Sequence, residues 1–152
     1  MSTDEADDPF RLSRFLDAQV GVYDVACAEL RAGRKQTHWM WFIFPQLAAL
    51  GLSDRAKFYG IKSLAEARAY AAHPVLGLHL VNAVAAALSS PERNPTNLMG
   101  TPDDMKLRSC LTLFRAADPS EPVFKKALDA FFDGKPDPVT ERILNKDTRS
   151  PR

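Results

Sequence analysis

Helix start and stop signals recur along almost the whole chain, and they constrain the fold more than any other feature of the sequence. Asp8-Pro9 and Thr101-Pro102-Asp103-Asp104 place acidic residues beside a proline, which favours a first helical turn because proline lacks the N–H that would stay unbonded there. Ser63-Leu64-Ala65-Glu66 is a capping box. Residues that stop a helix then follow at Gly33, Pro74 and Gly134. These signals predict a succession of helices.

Apolar residues between these signals recur at steps of three and four, as the buried face of a helix requires. The clearest case is Val75 to Ser89, which is rich in alanine and leucine and would let neighbouring helices approach closely. We expect this segment to be the central helix. The other predicted helices cover 9–33 with an interruption at Gly21, 53–60, 63–73, a segment that begins at 101, 122–132 and 138–144.

Two segments depart from this helical pattern. Ser90 to Gly100 concentrates proline, asparagine and serine, so we expect a long loop that could act as a lid. The aromatic run Trp39 to Phe44 suits a β-strand, but no other segment could pair with it. We therefore predict an all-α, single-domain bundle of six to eight short and medium helices. The domain is predicted to cover 9–145, between a disordered acidic tail at 1–8 and a flexible basic tail at 146–152.

The charge balance limits the classes of partner. The 152 residues carry 20 Lys and Arg against 19 Asp and Glu, so no global field attracts nucleic acid or an anionic membrane. Cys27 and Cys110 have neither the spacing nor the density of a disulfide scaffold or a metal site, and the acidic N-terminus differs from a signal peptide. We expect a cytoplasmic protein with no metal, no cofactor and no membrane partner, and nucleic acid ranks last among its partners.

The segment Gly33 to Gln46, GRKQTHWMWFIFPQ, is the first place where chemistry could occur. On one interpretation it lines a pocket in which Trp39 or Trp41 stacks a flat ligand while neighbouring donors bind phosphate or carboxylate oxygens. On the other it is a buried plug between helices, since aromatic side chains dominate protein cores. The sequence leaves both interpretations open. The polar residues beside the rings are Arg34, Lys35, His38 and Gln46.

The predicted helix that begins at 101 carries the second group of polar residues. Helical spacing places Lys106 beside Ser109 and Cys110, where an ammonium group could lower a thiol pKa or activate a hydroxyl. Cys110 also falls on the apolar face, where an inert buried thiol is the usual outcome. Asp104 could serve only the helix dipole, and Ser109 could bond the carbonyl four residues earlier. The group therefore predicts a site only if this helix faces the aromatic segment.

Four segments, DPFRLSRFLDAQ, HWMWFIFPQ, EARAYAAHPVLG and DDMKLRSCLTLF, resemble a bacterial family known as domain of unknown function 1810, sometimes mislabelled calpastatin. The resemblance extends from Asp8 to about Leu144 and implies an all-helical fold. It brings no established catalytic residue. It implies that the two polar segments face each other around a site, because members of the family share polar positions that match His38, Gln46, Asp104, Lys106 and Ser109 here.

Two functions stay open at this point. The first is binding, with or without catalysis, of a small anionic ring-containing ligand, either a nucleotide or an ADP-ribose-like compound, between the HWMWFIFPQ segment and the DDMKLRSCLTLF helix. The alternative is a non-enzymatic protein–protein interaction module with the aromatic segment as core. Both are compatible with any oligomeric state. The candidate ligand-binding residues are Arg34, Lys35, His38, Trp39, Trp41, Gln46, Asp104, Lys106 and Ser109.

Overall fold

The computed structural model describes residues 7–149, with side chains for 7–146, and this part of the chain is all-α. The predicted fold class is confirmed. The described residues contain no strand, only one parallel β-bridge between Leu47 and Ile61. In chain order the α-helices are α1 (Ser13–Gln19), α2 (Tyr23–Arg31), α3 (Met40–Ile43), α4 (Asp54–Phe58), α5 (Leu64–Ala72), α6 (Leu76–Ser89), α7 (Pro95–Met99), α8 (Asp103–Ala117), α9 (Val123–Phe132) and α10 (Pro138–Arg149), with a 3₁₀ turn at Ala48–Leu50.

The number of helices exceeds the predicted six to eight because three of them are very short. Over residues 7–149 there are ten α-helices, and α3, α4 and α7 have only four or five residues each. A helix of one turn shows too little of the 3.6-residue period to be recognised in a sequence. It also depends on its neighbours for stability, since a single turn does not form alone.

α6 lies at the centre of the bundle, as its composition predicts. It contacts α2, α3, α5 and α9, and its alanines and leucines are buried. α5 and α6 meet at 86° around Pro74. At this corner a Cβ atom on Gly77 would lie 2.1 Å from the carbonyl oxygen of Ala71, so only glycine fits. Within the described residues no single helix is long and apolar enough to cross a membrane, although this bent pair meets the same criteria when taken together.

The N-terminal helix begins later than predicted. Asp8 does act as a cap, because its carboxylate accepts hydrogen bonds from the N–H groups of Leu12 (2.6 Å) and Ser13 (2.9 Å). Arg11, however, has φ 55°, which ends any helical path from Pro9, so α1 begins at Ser13. The predicted interruption between α1 and α2 lies at Gly21, where φ is 75°. Residues 1–6 of the predicted acidic tail lie outside the described residues.

A buried ion pair joins the start of α1 to α5. Arg14 Nη2 donates to Glu66 Oε2 at 2.7 Å, and the two side chains are only 5% and 3% exposed. The guanidinium also donates to the carbonyls of Phe10, Arg11, Phe58 and Gly60. A buried charge is tolerated only when it is paired and fully hydrogen-bonded, so Arg14 fixes three separate segments against one another.

The segment Ser90 to Gly100, predicted as a loop, is partly helical. The Asn94 side chain accepts hydrogen bonds from the N–H groups of Thr96 and Asn97 and so caps α7. α7 packs against α8 and buries Leu98. A loop was predicted because this segment is rich in proline and asparagine. In the structure Asn94 caps a short helix, and Pro95 occupies its first position.

The C-terminal helix is longer than predicted. The Asp137 carboxylate caps it as expected, accepting hydrogen bonds from the N–H of Thr140 at 2.8 Å and from its hydroxyl at 2.7 Å. α10 then continues to Arg149, past the predicted end at Leu144. Residues 146–149 of the predicted flexible tail therefore belong to the helix, while 150–152 lie outside the described residues.

Candidate functional site

The two polar segments singled out in the sequence meet through Lys35 and α8. The backbone N–H of Lys35 donates to the carbonyl of Leu98 at 2.7 Å, which holds the segment after α2 against α7. The Lys35 ammonium lies 3.0 Å from Asp103 Oδ2 at the start of α8, and it also donates to the carbonyl of Thr37 at 2.7 Å. Because only 7% of the Lys35 side chain is exposed, this ion pair is largely shielded from solvent.

Trp39 is part of the core, as the plug interpretation proposed. Its side chain is fully buried, and its indole N–H donates to Glu29 Oε1 at 3.0 Å. The same carboxylate accepts hydrogen bonds from the backbone of Gln36 and from the backbone and hydroxyl of Thr37. Burial alone would raise the pKa of Glu29, but these hydrogen bonds outweigh it and hold the pKa below its ordinary value. Glu29 was absent from the predicted site.

Trp41, two residues later, is only partly buried and lies between two cations. α3 turns Met40 and Ile43 into the core, which leaves Trp41 at its edge. The guanidinium carbon of Arg55 is 4.8 Å from the centre of the Trp41 rings, and the ammonium of Lys106 is 6.0 Å from it. These distances are those of cation–π contacts. The arrangement is an aromatic surface with two cations close to it, which we call the Trp41 surface.

A small hollow lies beside the Trp41 surface. Its volume is about 10 Å³, which is room for about one water molecule. Lys106 reaches it from α8, and its ammonium lies 3.8 Å from Asp103 Oδ1, so Asp103 stands between Lys35 and Lys106. The lining residues are Met40, Trp41, Phe44, Gln46, Ala56, Tyr59, Gly60 and Lys106. The hollow is too small for a ring-containing ligand, and Ala56 of α4 forms part of its wall.

Besides Lys35 and Trp39, four more predicted site residues lie outside the hollow. Arg34 and His38 have exposed side chains that do not border the hollow. Asp104 accepts hydrogen bonds from the Thr96 hydroxyl at 2.7 Å and from the N–H of Met105 at 2.8 Å, which ties α7 to α8. Ser109 donates to the carbonyl of Met105 at 3.2 Å. The predicted group therefore separates into residues at the hollow, residues in solvent and residues that hold the helices; a ligand-binding role for any of them stays a prediction.

The thiols do not form a reactive centre. Cys110 is completely buried, and burial raises its pKa well above the ordinary value, so Lys106 does not activate it. Cys27 is also free and buried, and burial raises its pKa. Among the described residues no cluster of three or more His, Cys, Asp or Glu side chains could hold a metal ion.

A polar cluster that the sequence did not reveal lies between α1, α2 and α6. The His79 ring stacks on Tyr23 with ring centres 3.7 Å apart, and its Nδ1 lies 2.7 Å from Gln19 Oε1. Gln19 Nε2 in turn donates to the carbonyl of Phe42 at 2.8 Å. Burial lowers the pKa of His79, which favours the neutral ring. This cluster connects the N-terminal helix to the aromatic segment.

The comparisons with known proteins agree with this fold. The structure is similar to the crystal structure of the conserved hypothetical protein Rv1873 from Mycobacterium tuberculosis, with a TM-score of 0.88 and 44% sequence identity, over 91% of this chain and 99% of that chain. No curated protein matches the chain. Residues 9–144 match the family described as "Protein of unknown function (DUF1810)", a range that includes α1 to α9 and the Lys35–Asp103 contact. The chain therefore belongs to the DUF1810 family, which confirms the resemblance seen in its four segments.

Proposed function

We propose that this protein binds a small anionic, ring-containing ligand, a nucleotide or an ADP-ribose-like compound, at the Trp41 surface. The observation that supports this is the position of the partly buried Trp41 ring between Arg55 and Lys106. A flat ring can stack on the indole, and the two cations can bind the phosphate oxygens attached to that ring. Gln46, at the back of the hollow, supplies an amide for polar groups of the ligand.

Binding requires α4 to move away from Trp41. α4 has no buried residue, and its main contacts are with the 3₁₀ turn Ala48–Leu50. The Arg55–Trp41 contact that holds it over the hollow is worth about 0.5–1 kcal/mol at an exposed position. A stacked ligand can replace this contact with one of equal or greater strength, and α4 can then pivot about its last residue, Phe58, whose carbonyl stays bonded to Arg14 Nε. The proposal concerns binding in the cytoplasm and assigns no catalytic residue.

A thermal-shift experiment tests the proposal. The purified protein is melted with ADP-ribose, ADP, adenosine and ribose 5-phosphate, which separate the contributions of the ring and of the phosphate. A ligand at one hundred times its Kd stabilises by about 2.7 kcal/mol, which for a chain of this size raises Tm by about 5–10 °C. We expect the largest shift from a compound that has both ring and phosphate.

Matched variants locate the binding site. Trp41→Ala and Lys106→Ala should abolish most of the shift, whereas Lys125→Ala, which removes an exposed lysine paired with Asp129 on α9, should leave it unchanged. Equal shifts in all three variants would place the ligand elsewhere. The absence of any shift in the wild type would contradict the proposal and favour the interaction module.

A further inference from the structure

We propose a second, independent site: a groove on the other side of α4 that binds an acidic peptide segment carrying an apolar side chain. Two adjoining hollows of about 410 and about 380 Å³ form the groove, and they share Arg11, Arg14 and Phe58. Either hollow is far larger than the space of about 10 Å³ beside Trp41. We call this surface the Phe58 groove. It lies between the turn before α1, the end of α4 and the start of α5.

The Phe58 groove concentrates positive charge that the described residues do not neutralise. Arg11, Lys57 and Lys62 line it with exposed side chains, and none of them has a carboxylate within 4.0 Å among residues 7–146. The carboxylate of Glu66 lies at the floor but is neutralised by Arg14. Asp17 borders the far end. The lining of the two hollows therefore holds four cations and two carboxylates, and this local net charge of +2 on a chain with a formal net charge of +1 favours an acidic partner.

The floor of the Phe58 groove is held in place before any partner binds. Arg14 donates through Nε to the carbonyl of Phe58 at 2.8 Å and through Nη2 to the carbonyl of Gly60 at 3.0 Å, both at the end of α4. Through Nη1 it donates to the carbonyls of Phe10 and Arg11 at 2.7 and 2.9 Å. The same guanidinium therefore fixes two walls of the groove, and a partner does not have to order them.

An exposed aromatic ring lies among these cations. Phe58 is 48% exposed and packs edge-on against Tyr59, with ring centres 4.8 Å apart. Phe10, partly buried, lines the same hollow. An apolar side chain of a partner can cover Phe58 while acidic side chains on either side of it reach Lys57 and Lys62. This pattern of an apolar anchor with flanking charges is typical of peptide recognition, whereas nucleic acid would require cations along an extended path.

Fluorescence anisotropy tests the proposal with a defined probe. The probe is a short fluorescein-labelled peptide of alternating Asp and Glu with one central Phe, and the full chain is titrated at low and at physiological salt. We expect saturable binding that weakens as salt is raised. The double variant Lys57→Glu, Lys62→Glu should weaken binding by about tenfold or more, because each reversal replaces attraction with repulsion. Phe58→Ala should weaken it by about tenfold through the lost apolar contact.

A matched control and a competing probe complete the experiment. Lys126→Glu, Lys135→Glu makes the same change of charge at exposed positions on and after α9 and should leave the affinity within about twofold. Circular dichroism verifies that each variant is folded. Equal peptide affinity in the wild type and the folded Lys57→Glu, Lys62→Glu variant would overturn the proposal. So would a labelled single-stranded oligonucleotide of equal charge that binds more tightly than the peptide and loses its binding in the same variant.

Discussion

Trp39 and Trp41 are separated by one residue but occupy opposite environments. Trp39 is fully buried, and its indole N–H is bonded to Glu29. Trp41 is partly exposed, and its neighbours are the cations Arg55 and Lys106 rather than a carboxylate. The same residue type therefore has two environments in one segment: Trp39 holds the segment after α2 in the core, while Trp41 lies at the edge of the core beside two cations. The plug interpretation therefore describes Trp39, while the pocket interpretation stays a prediction that concerns Trp41.

The largest expected difference between the two rings is in stability. Trp39→Ala should lower the free energy of unfolding by about 3–5 kcal/mol, because it leaves a cavity in the core and removes one of the hydrogen bonds to the Glu29 carboxylate. Trp41→Ala should cost less, about 1–2 kcal/mol, because the partly buried ring loses some apolar contact together with its cation–π contacts. Urea denaturation followed by circular dichroism measures both. Similar losses for the two variants would remove the distinction between them.

The second test concerns the pH dependence that Glu29 gives to the Trp39 environment. The pKa of Glu29 is lower in the folded protein than in the unfolded chain, so its carboxylate contributes stability above the unfolded pKa of about 4.3. That contribution is lost as the pH falls from there through the lowered pKa of the folded state. Glu29→Gln should lose about 2 kcal/mol at pH 7. Between pH 5 and pH 3 the free energy of unfolding should fall less for Glu29→Gln than for the wild type, because glutamine has no carboxylate to protonate.

Urea denaturation at a series of pH values measures this effect. Glu121→Gln is a suitable control, because Glu121 lies outside the Trp39 environment and accepts a single hydrogen bond from the N–H of Val123. If the free energy of unfolding changes with pH in the same way for the wild type and Glu29→Gln, the ionised Glu29 carboxylate does not stabilise the Trp39 environment.

The smallest effect is spectroscopic. Trp41→Phe removes the accessible indole and keeps an aromatic ring, so stability should change by less than about 1 kcal/mol. The remaining fluorescence then comes from Trp39, which is buried, and acrylamide should quench it much less than it quenches the wild type. Stern–Volmer plots of the two proteins measure the difference. Equal quenching would mean that Trp39 opens to solvent as readily as Trp41.

Local signals predicted the helices that begin or end at a clear cap. Ser63, Pro74, Gly33 and Asp137 all act at the helix ends that the sequence assigned to them. α3 and α7 could not be predicted in the same way, because helices this short are held by tertiary contacts. α1 begins at Ser13 and not at Pro9, because Arg11 has a left-handed backbone conformation. An arginine gives no sign of this conformation in the sequence, since glycine and asparagine are the residues that usually adopt it.

The candidate site was predicted in part. The contact between the aromatic segment and α8 was expected, and Lys106 makes it as predicted through Trp41. Asp103 also makes it, through Lys35, although its position in a first turn had been explained by the helix dipole.

Arg55 was missed because it lies on a short exposed helix with no apolar pattern. Arg14 and Glu66 are 52 residues apart in sequence, and no local pattern connects them. Such pairs depend on the arrangement of the whole fold.

α4 is a helix of five residues with no buried side chain, and both proposed sites share it. Arg55 faces Trp41, while Lys57 and Phe58 line the Phe58 groove. Arg14 holds the last residue of α4 through the carbonyl of Phe58, while the first residues of the turn take their conformation from their neighbours. A ligand bound at the Trp41 surface therefore changes the conformational entropy that α4 still loses when a peptide binds in the Phe58 groove. By thermodynamic linkage, the peptide changes the affinity for the ligand by the same factor. A single turn of helix can in this way make two unrelated partners sensitive to each other.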